Sequence, residues 1–128
     1  MHIPKFSDKI KIHEAVWREI RAIAVGNKAL AARLVQRIAE LGIDPNPNNE
    51  DCKSKMVANL AKKKIFVKRL RCFDVGAYRI FYCVKKSGFI CVYAVVFASG
   101  DKHDQAYDEN SEHYKRIQLL YKFWRSCQ

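Results

Sequence analysis

Two neighbouring runs decide the fold: Ile65-Phe66-Val67-Lys68-Arg69-Leu70-Arg71-Cys72-Phe73, and Tyr78-Arg79-Ile80-Phe81-Tyr82-Cys83-Val84. Successive side chains of a strand point to opposite faces. In the first run Phe66, Leu70 and Cys72 therefore share one face, and Arg69 and Arg71 share the other. The intervening Asp74-Val75-Gly76-Ala77 carries turn chemistry, so the second run returns alongside the first. Lys85-Lys86-Ser87-Gly88 reads as a further hairpin loop. Phe89 to Ala98 is nearly all apolar, the composition of a strand buried on both faces. Three strands joined by short turns make an antiparallel meander.

Working outward, Lys9-Ile10-Lys11-Ile12-His13 alternates polar and apolar residues, which predicts a short strand. Val16, Trp17, Ile20, Ile23 and Ala24 then recur at helical spacing, and Gly26 is a helix stop. Asn27 is placed to cap a second helix, whose stripe is Leu30, Leu34, Ile38 and Leu41, with Gly42 at its end. Helices joined so briefly pack as an antiparallel hairpin. Asp44-Pro45-Asn46-Pro47-Asn48-Asn49 is a loop, and 53–60 has no clear period. After Ser99 to Asp104 the chain leaves the sheet. Asp108, Glu109, Ser111 and Glu112 suit a helix start, and Tyr114, Ile117, Leu120, Tyr121 and Trp124 give that helix an apolar face. The expected class is α+β: a helical hairpin on a small antiparallel-dominated sheet, in the order β-α-α-β-β-β-α. It is read as one domain over residues 1–128, with 1–8 a loose extension and 108–127 the last helix.

A chain of 128 residues with 49% hydrophobic composition can bury one core unaided. Its formal charge of +11 costs self-repulsion in a compact domain. A polyanionic partner offsets that cost, and a nucleic acid, an anionic membrane surface or an acidic protein segment would each serve. No apolar run approaches the roughly 20 residues that span a bilayer, and Met1 to Phe6 has no signal-peptide core. The cysteines Cys52, Cys72, Cys83, Cys91 and Cys127 are odd in number and form no CxxC pair. They are expected as reduced thiols in a cytoplasmic protein, without the ligand spacing of a zinc site.

The charge is unevenly placed. Between Asp51 and Asp74 there is no acid, while the window holds Lys53, Lys55, Lys62, Lys63, Lys64, Lys68, Arg69 and Arg71. Lys62 to Lys64 read as a solvated face. Arg69 and Arg71 stand side by side on one sheet face, and Arg79 on the next strand can join them. Three guanidinium groups on one face have little structural use without an anion, and each can grip a phosphate through two hydrogen bonds. Lys68 has the opposite parity and is the weaker RNA-binding candidate. Tyr78 and Tyr82 share a parity that faces the core, whereas Tyr107 follows the sheet and can reach its edge. Stacking combined with cations is how single-stranded RNA is held.

The stretches Phe66-Val67-Lys68-Arg69-Leu70-Arg71 and Gly76-Ala77-Tyr78-Arg79-Ile80-Phe81-Tyr82 resemble the central strand pair of the RelE/ParE toxin superfamily. Asp44-Pro45-Asn46-Pro47 after a helical hairpin, then Lys53-Ser54-Lys55-Met56, is similar to that family's linker. Gly100-Asp101-Lys102-His103-Asp104-Gln105-Ala106-Tyr107 is similar to its catalytic tail. The resemblance spans roughly residues 9–110 and rests on motif order and spacing. It implies the toxin of a toxin–antitoxin system. The RelE-like branch cuts mRNA in the ribosomal A site without a metal or other cofactor, and the ParE-like branch inhibits DNA gyrase. It also implies that Arg79 steadies the scissile phosphate, that Arg69 is a strand cation, that Tyr107 is the terminal Tyr, and that Lys102 and His103 stand where members carry Arg or His. An antitoxin with an acidic segment is the implied protein partner, with Trp17 on the hairpin as a second docking surface. A gyrase inhibitor and a non-catalytic nucleic-acid-binding module are the rival functions.

Metal-free cleavage uses the substrate's own 2′-hydroxyl as nucleophile. It needs a base, an acid for the leaving 5′-oxygen, and a cation for the charge on phosphorus. His103 is the titrating candidate, against the alternative of a surface-loop histidine. Tyr107 or Lys102 can supply a proton, and Arg69 and Arg79 can hold the phosphate. His2, His13 and His113 are read as structural or exposed.

Overall fold

A computed structural model of the chain describes residues 4–100 and 105–126, with side chains as far as Phe123. Its elements are β1 (Ile10–Ile12), α1 (Glu14–Gly26), α2 (Lys28–Glu40), β2 (Cys52–Met56), α3 (Ala58–Ala61), β3 (Lys68–Cys72), β4 (Tyr78–Val84), β5 (Ile90–Phe97) and α4 (Glu112–Ser126). The strands lie in the order β1-β5-β4-β3-β2. β1 runs parallel to β5, and the other pairings are antiparallel. The class is α+β, as expected, but the element order is corrected by an additional strand, β2, and an additional helix, α3. Cys-Lys-Ser-Lys-Met is too polar to signal a strand, and α3 is a single turn, too short to show a period. The last helix begins at Glu112 rather than 108, after Ser111 Oγ accepts from the Tyr114 amide at 3.3 Å.

The helix boundaries follow their caps. His13 Nδ1 accepts from the Ala15 amide at 3.1 Å and starts α1, while Asn27 Oδ1 accepts from the Leu30 amide at 3.0 Å and starts α2. The hairpin packs Leu34 and Ile38 against Leu70, Ile80 and Tyr82, on the even-numbered face of β3 and β4, and against Val92 of β5. Tyr114 and Ile117 of α4 cover Phe81, Cys83 and Tyr93 on the odd-numbered face. Tyr82 is fully buried and donates through its hydroxyl to the Pro45 carbonyl at 2.8 Å, which ties the 44–49 loop to the sheet. The turn after β3 is tied to α2: Arg37 Nε meets Asp74 Oδ1 at 3.1 Å and Arg33 Nε donates to the Asp74 carbonyl at 2.8 Å. Gly76, at φ 60°, completes it. β1 is too short to pair all of β5. Beyond it, Glu19 accepts from the Val95 amide at 3.0 Å and Arg116 donates to the Tyr93 carbonyl at 2.9 Å, and the two residues form an ion pair at 3.3 Å.

Two further expectations are corrected. Trp17 is not a bare docking residue: it is half-buried against the core, and Phe6 meets its ring edge-on at 5.8 Å. The cysteines are not all reduced, because Cys52 and Cys72 form a disulfide. They face each other in the β2–β3 register, a juxtaposition invisible until β2 is known to be a strand. Cys83 and Cys91 are free and buried, and Cys127 lies outside the described residues. Among the described residues no helix is long and apolar enough to cross a membrane.

Candidate nucleic-acid interface

Register brings the cations together. β2–β3 pairing sets Lys53 opposite Arg71 and Lys55 opposite Arg69, and β3–β4 pairing sets Arg71 opposite Arg79. Lys53, Arg71 and Arg79 therefore form one cross-strand row on the odd-numbered face, and Lys55 and Arg69 begin the next, which Phe81 continues under α4. Like charges directly opposite destabilise a sheet. Here they occur twice in one row. Among the described residues, none of these five cations forms an ion pair with a carboxylate.

Four of the five, Lys55, Arg69, Arg71 and Arg79, line a cleft of about 430 Å³ together with Asn59 and Tyr107. A second depression of about 450 Å³ adjoins it and shares Arg71 and Arg79, and Lys53, Glu50 and Asp51 also line it. Arg79 is held in place: its Nη1 donates to the carbonyls of Gly76 at 2.9 Å and Tyr78 at 3.1 Å. Burial lowers its pKa, and Arg69 and Arg71 push the same way against the opposing influence of Tyr107. Arg79 remains cationic throughout the physiological range.

Tyr107 is positioned from below. Its ring meets Phe81 edge-on at 5.9 Å, and Asn59 Nδ2 donates to its carbonyl at 3.0 Å. Asn59 is fixed in turn by the Tyr114 hydroxyl, which donates to Asn59 Oδ1 at 2.9 Å. The Tyr114 hydroxyl is pushed up to about 12 by burial, so it stays a donor. His113 lies beneath the site, its Nε2 2.7 Å from the Ala106 carbonyl and its ring tilted against Phe81, and burial lowers its pKa.

The cleft brings together Arg69, Arg71, Arg79 and Tyr107 from the residues singled out in the sequence. Lys68 is on the other face, where its Nζ donates to Asn46 Oδ1, so it takes no part in the cleft. Lys102 and His103 lie outside the described residues. Lys63, from the run read as a solvated face, pairs with Glu109 at 3.2 Å. Sequence reasoning missed Lys53, Lys55 and Asn59 as site residues. Lys53 and Lys55 fall on one face only once β2 is known to be a strand, and nothing in the sequence marked Asn59. Compared with protein-family models, curated proteins and solved structures, the chain matches none.

Proposed function

We propose that this protein is a RelE-like endoribonuclease, the toxin of a toxin–antitoxin pair, cutting mRNA held in the cleft between β2, β3 and Tyr107. The observation that supports this most strongly is the cross-strand row Lys53–Arg71–Arg79 beside Lys55 and Arg69, with no ion-paired carboxylate among the described residues. Such a row lowers the stability of the free protein, and a phosphodiester backbone supplies anions that neutralise it. A row of cations with an aromatic residue at one end fits a single strand better than a duplex.

In this reading Arg71 and Arg79 hold the scissile phosphate and neutralise the charge that builds on phosphorus. The immobilised Nη1 of Arg79 means that little reorganisation is needed when the charge appears. Lys55 and Arg69 hold the neighbouring phosphate. Tyr107 stacks on a base or gives a proton to the leaving 5′-oxygen. Lys102 and His103, five and four residues before Tyr107, are assigned the remaining proton transfers. A site poor in acid–base groups gains most from positioning, which the ribosomal A site provides. The antitoxin's acidic segment is proposed to occupy the same cleft, with charge complementarity speeding capture. The site of action is then the cytoplasm, where a disulfide such as Cys52–Cys72 meets a reducing thiol pool.

Expression in bacterial cells followed by mapping of mRNA 5′ ends tests the proposal. New ends within coding regions, absent with Arg79→Ala, are expected. Intact transcripts alongside growth arrest would contradict it, and loss of supercoiling in the same cells would point to gyrase.

A further inference from the structure

A second site lies on the same sheet face at the far end of β4. Lys85 is 8% exposed, and its Nζ is buried with no hydrogen-bond partner among the described residues. A buried ammonium without an acceptor is costly. The Tyr121 ring, 5.0 Å from Nζ, offsets part of that cost. Cys83, whose sulfur lies 3.0 Å from the Tyr93 hydroxyl, makes no hydrogen bond to Nζ. Lys85 lines a cavity of about 550 Å³ together with Phe66, Cys83 and Tyr121, and its Nζ lies just behind the wall, against the Tyr121 ring. Lys64 and Lys86 stand at the same cavity, and Phe66 is 50% exposed beside it.

We infer that this cavity binds an organic monoanion, a carboxylate carried on a flat apolar body. The carboxylate would give Lys85 the acceptor it lacks, and Lys64 and Lys86 add positive potential at the opening. The apolar body would cover Phe66 and lie against Tyr121. The site is distinct from the cationic cleft, with which it shares no lining residue, so its occupancy and RNA binding are separable. A phosphodiester is a poorer fit, because a mostly apolar cavity with one buried cation leaves a hydrophilic backbone desolvated.

The test is a titration of the full chain with naphthoate, followed by amide NMR shifts, with neutral naphthamide as the comparison. Saturable shifts are expected at Phe66, Val84, Lys85 and Tyr121, with naphthoate binding at least about tenfold tighter than naphthamide, the worth of one charge-assisted hydrogen bond. Lys85→Met should remove that preference and leave naphthamide binding unchanged. Naphthoate should also slow alkylation of Cys83 in the wild-type chain, a readout that stands even if Lys85→Met fails to fold. Equal binding of the two compounds, shifts confined to the Arg69–Arg79 cleft, or undiminished Cys83 alkylation at saturation would overturn the inference.

Discussion

If the five cations on β2, β3 and β4 grip RNA phosphates, affinity must fall with salt at a slope set by their number. Single strands give a slope of about −0.7 per phosphate neutralised, so Lys53, Lys55, Arg69, Arg71 and Arg79 together predict roughly −3.5. Raising salt from about 50 to about 200 mM should then weaken binding by a factor on the order of 100. Arg69→Ala with Arg71→Ala removes two contacts and should bring the slope to roughly −2. The same double variant should not destabilise the free protein, because it removes a cation from each cross-strand row. Relief of the Lys53–Arg71–Arg79 repulsion is worth about 0.2–1 kcal/mol. Fluorescence anisotropy with a short single-stranded RNA at several salt concentrations gives the slope, and urea unfolding gives the stability. An unchanged slope in a folded double variant would refute the placement of RNA on this face. A loss of more than 1 kcal/mol of stability would refute the idea that the cations are kept for a ligand rather than for the fold.

Further predictions follow from other parts of the fold. Reductant should lower stability by about 3 kcal/mol, the chain-entropy value for the Cys52–Cys72 separation of 20 residues, and Cys52→Ala with Cys72→Ala should reproduce it in urea melts. Burial lowers the pKa of both His113 and His13, so the unfolded chain binds more protons near and below pH ~6.5. Stability is therefore whole above that pH and falls as pH drops through it. His113→Gln should flatten part of the fall, as measured by unfolding free energy against pH. Arg116→Met strips the Tyr93 carbonyl and Glu19 of their partner and should cost about 1–3 kcal/mol in thermal or urea unfolding. Asn59→Ala should leave RNA affinity nearly intact while lowering cleavage, because Asn59 holds the backbone of Tyr107 and bears no charge.

Much of the architecture was legible because period and parity suffice for it. The hairpin stripes, the Asn27 cap, the interior β5 and the shared face of Arg69, Arg71 and Arg79 all follow from alternation or helical spacing. β2 was not legible as a strand: its outer neighbour is only the 47–49 loop, so it carries lysines where an interior strand would carry valines. Missing β2 had two consequences. It hid Lys53 and Lys55 opposite the arginines, and it hid Cys52 opposite Cys72. The burial of Lys85 was also illegible, because Lys85-Lys86-Ser87-Gly88 has the composition of a solvated turn and only tertiary packing under Tyr121 buries the first lysine.

The most direct test of the central claim is cleavage of a ribosome-programmed mRNA carrying a single 2′-deoxy nucleotide at the mapped cut. Metal-free cleavage by the substrate's own 2′-hydroxyl predicts a 2′,3′-cyclic phosphate on the unmodified transcript and no cut at the deoxy position. Cleavage that proceeds unchanged at the 2′-deoxy position would contradict the account.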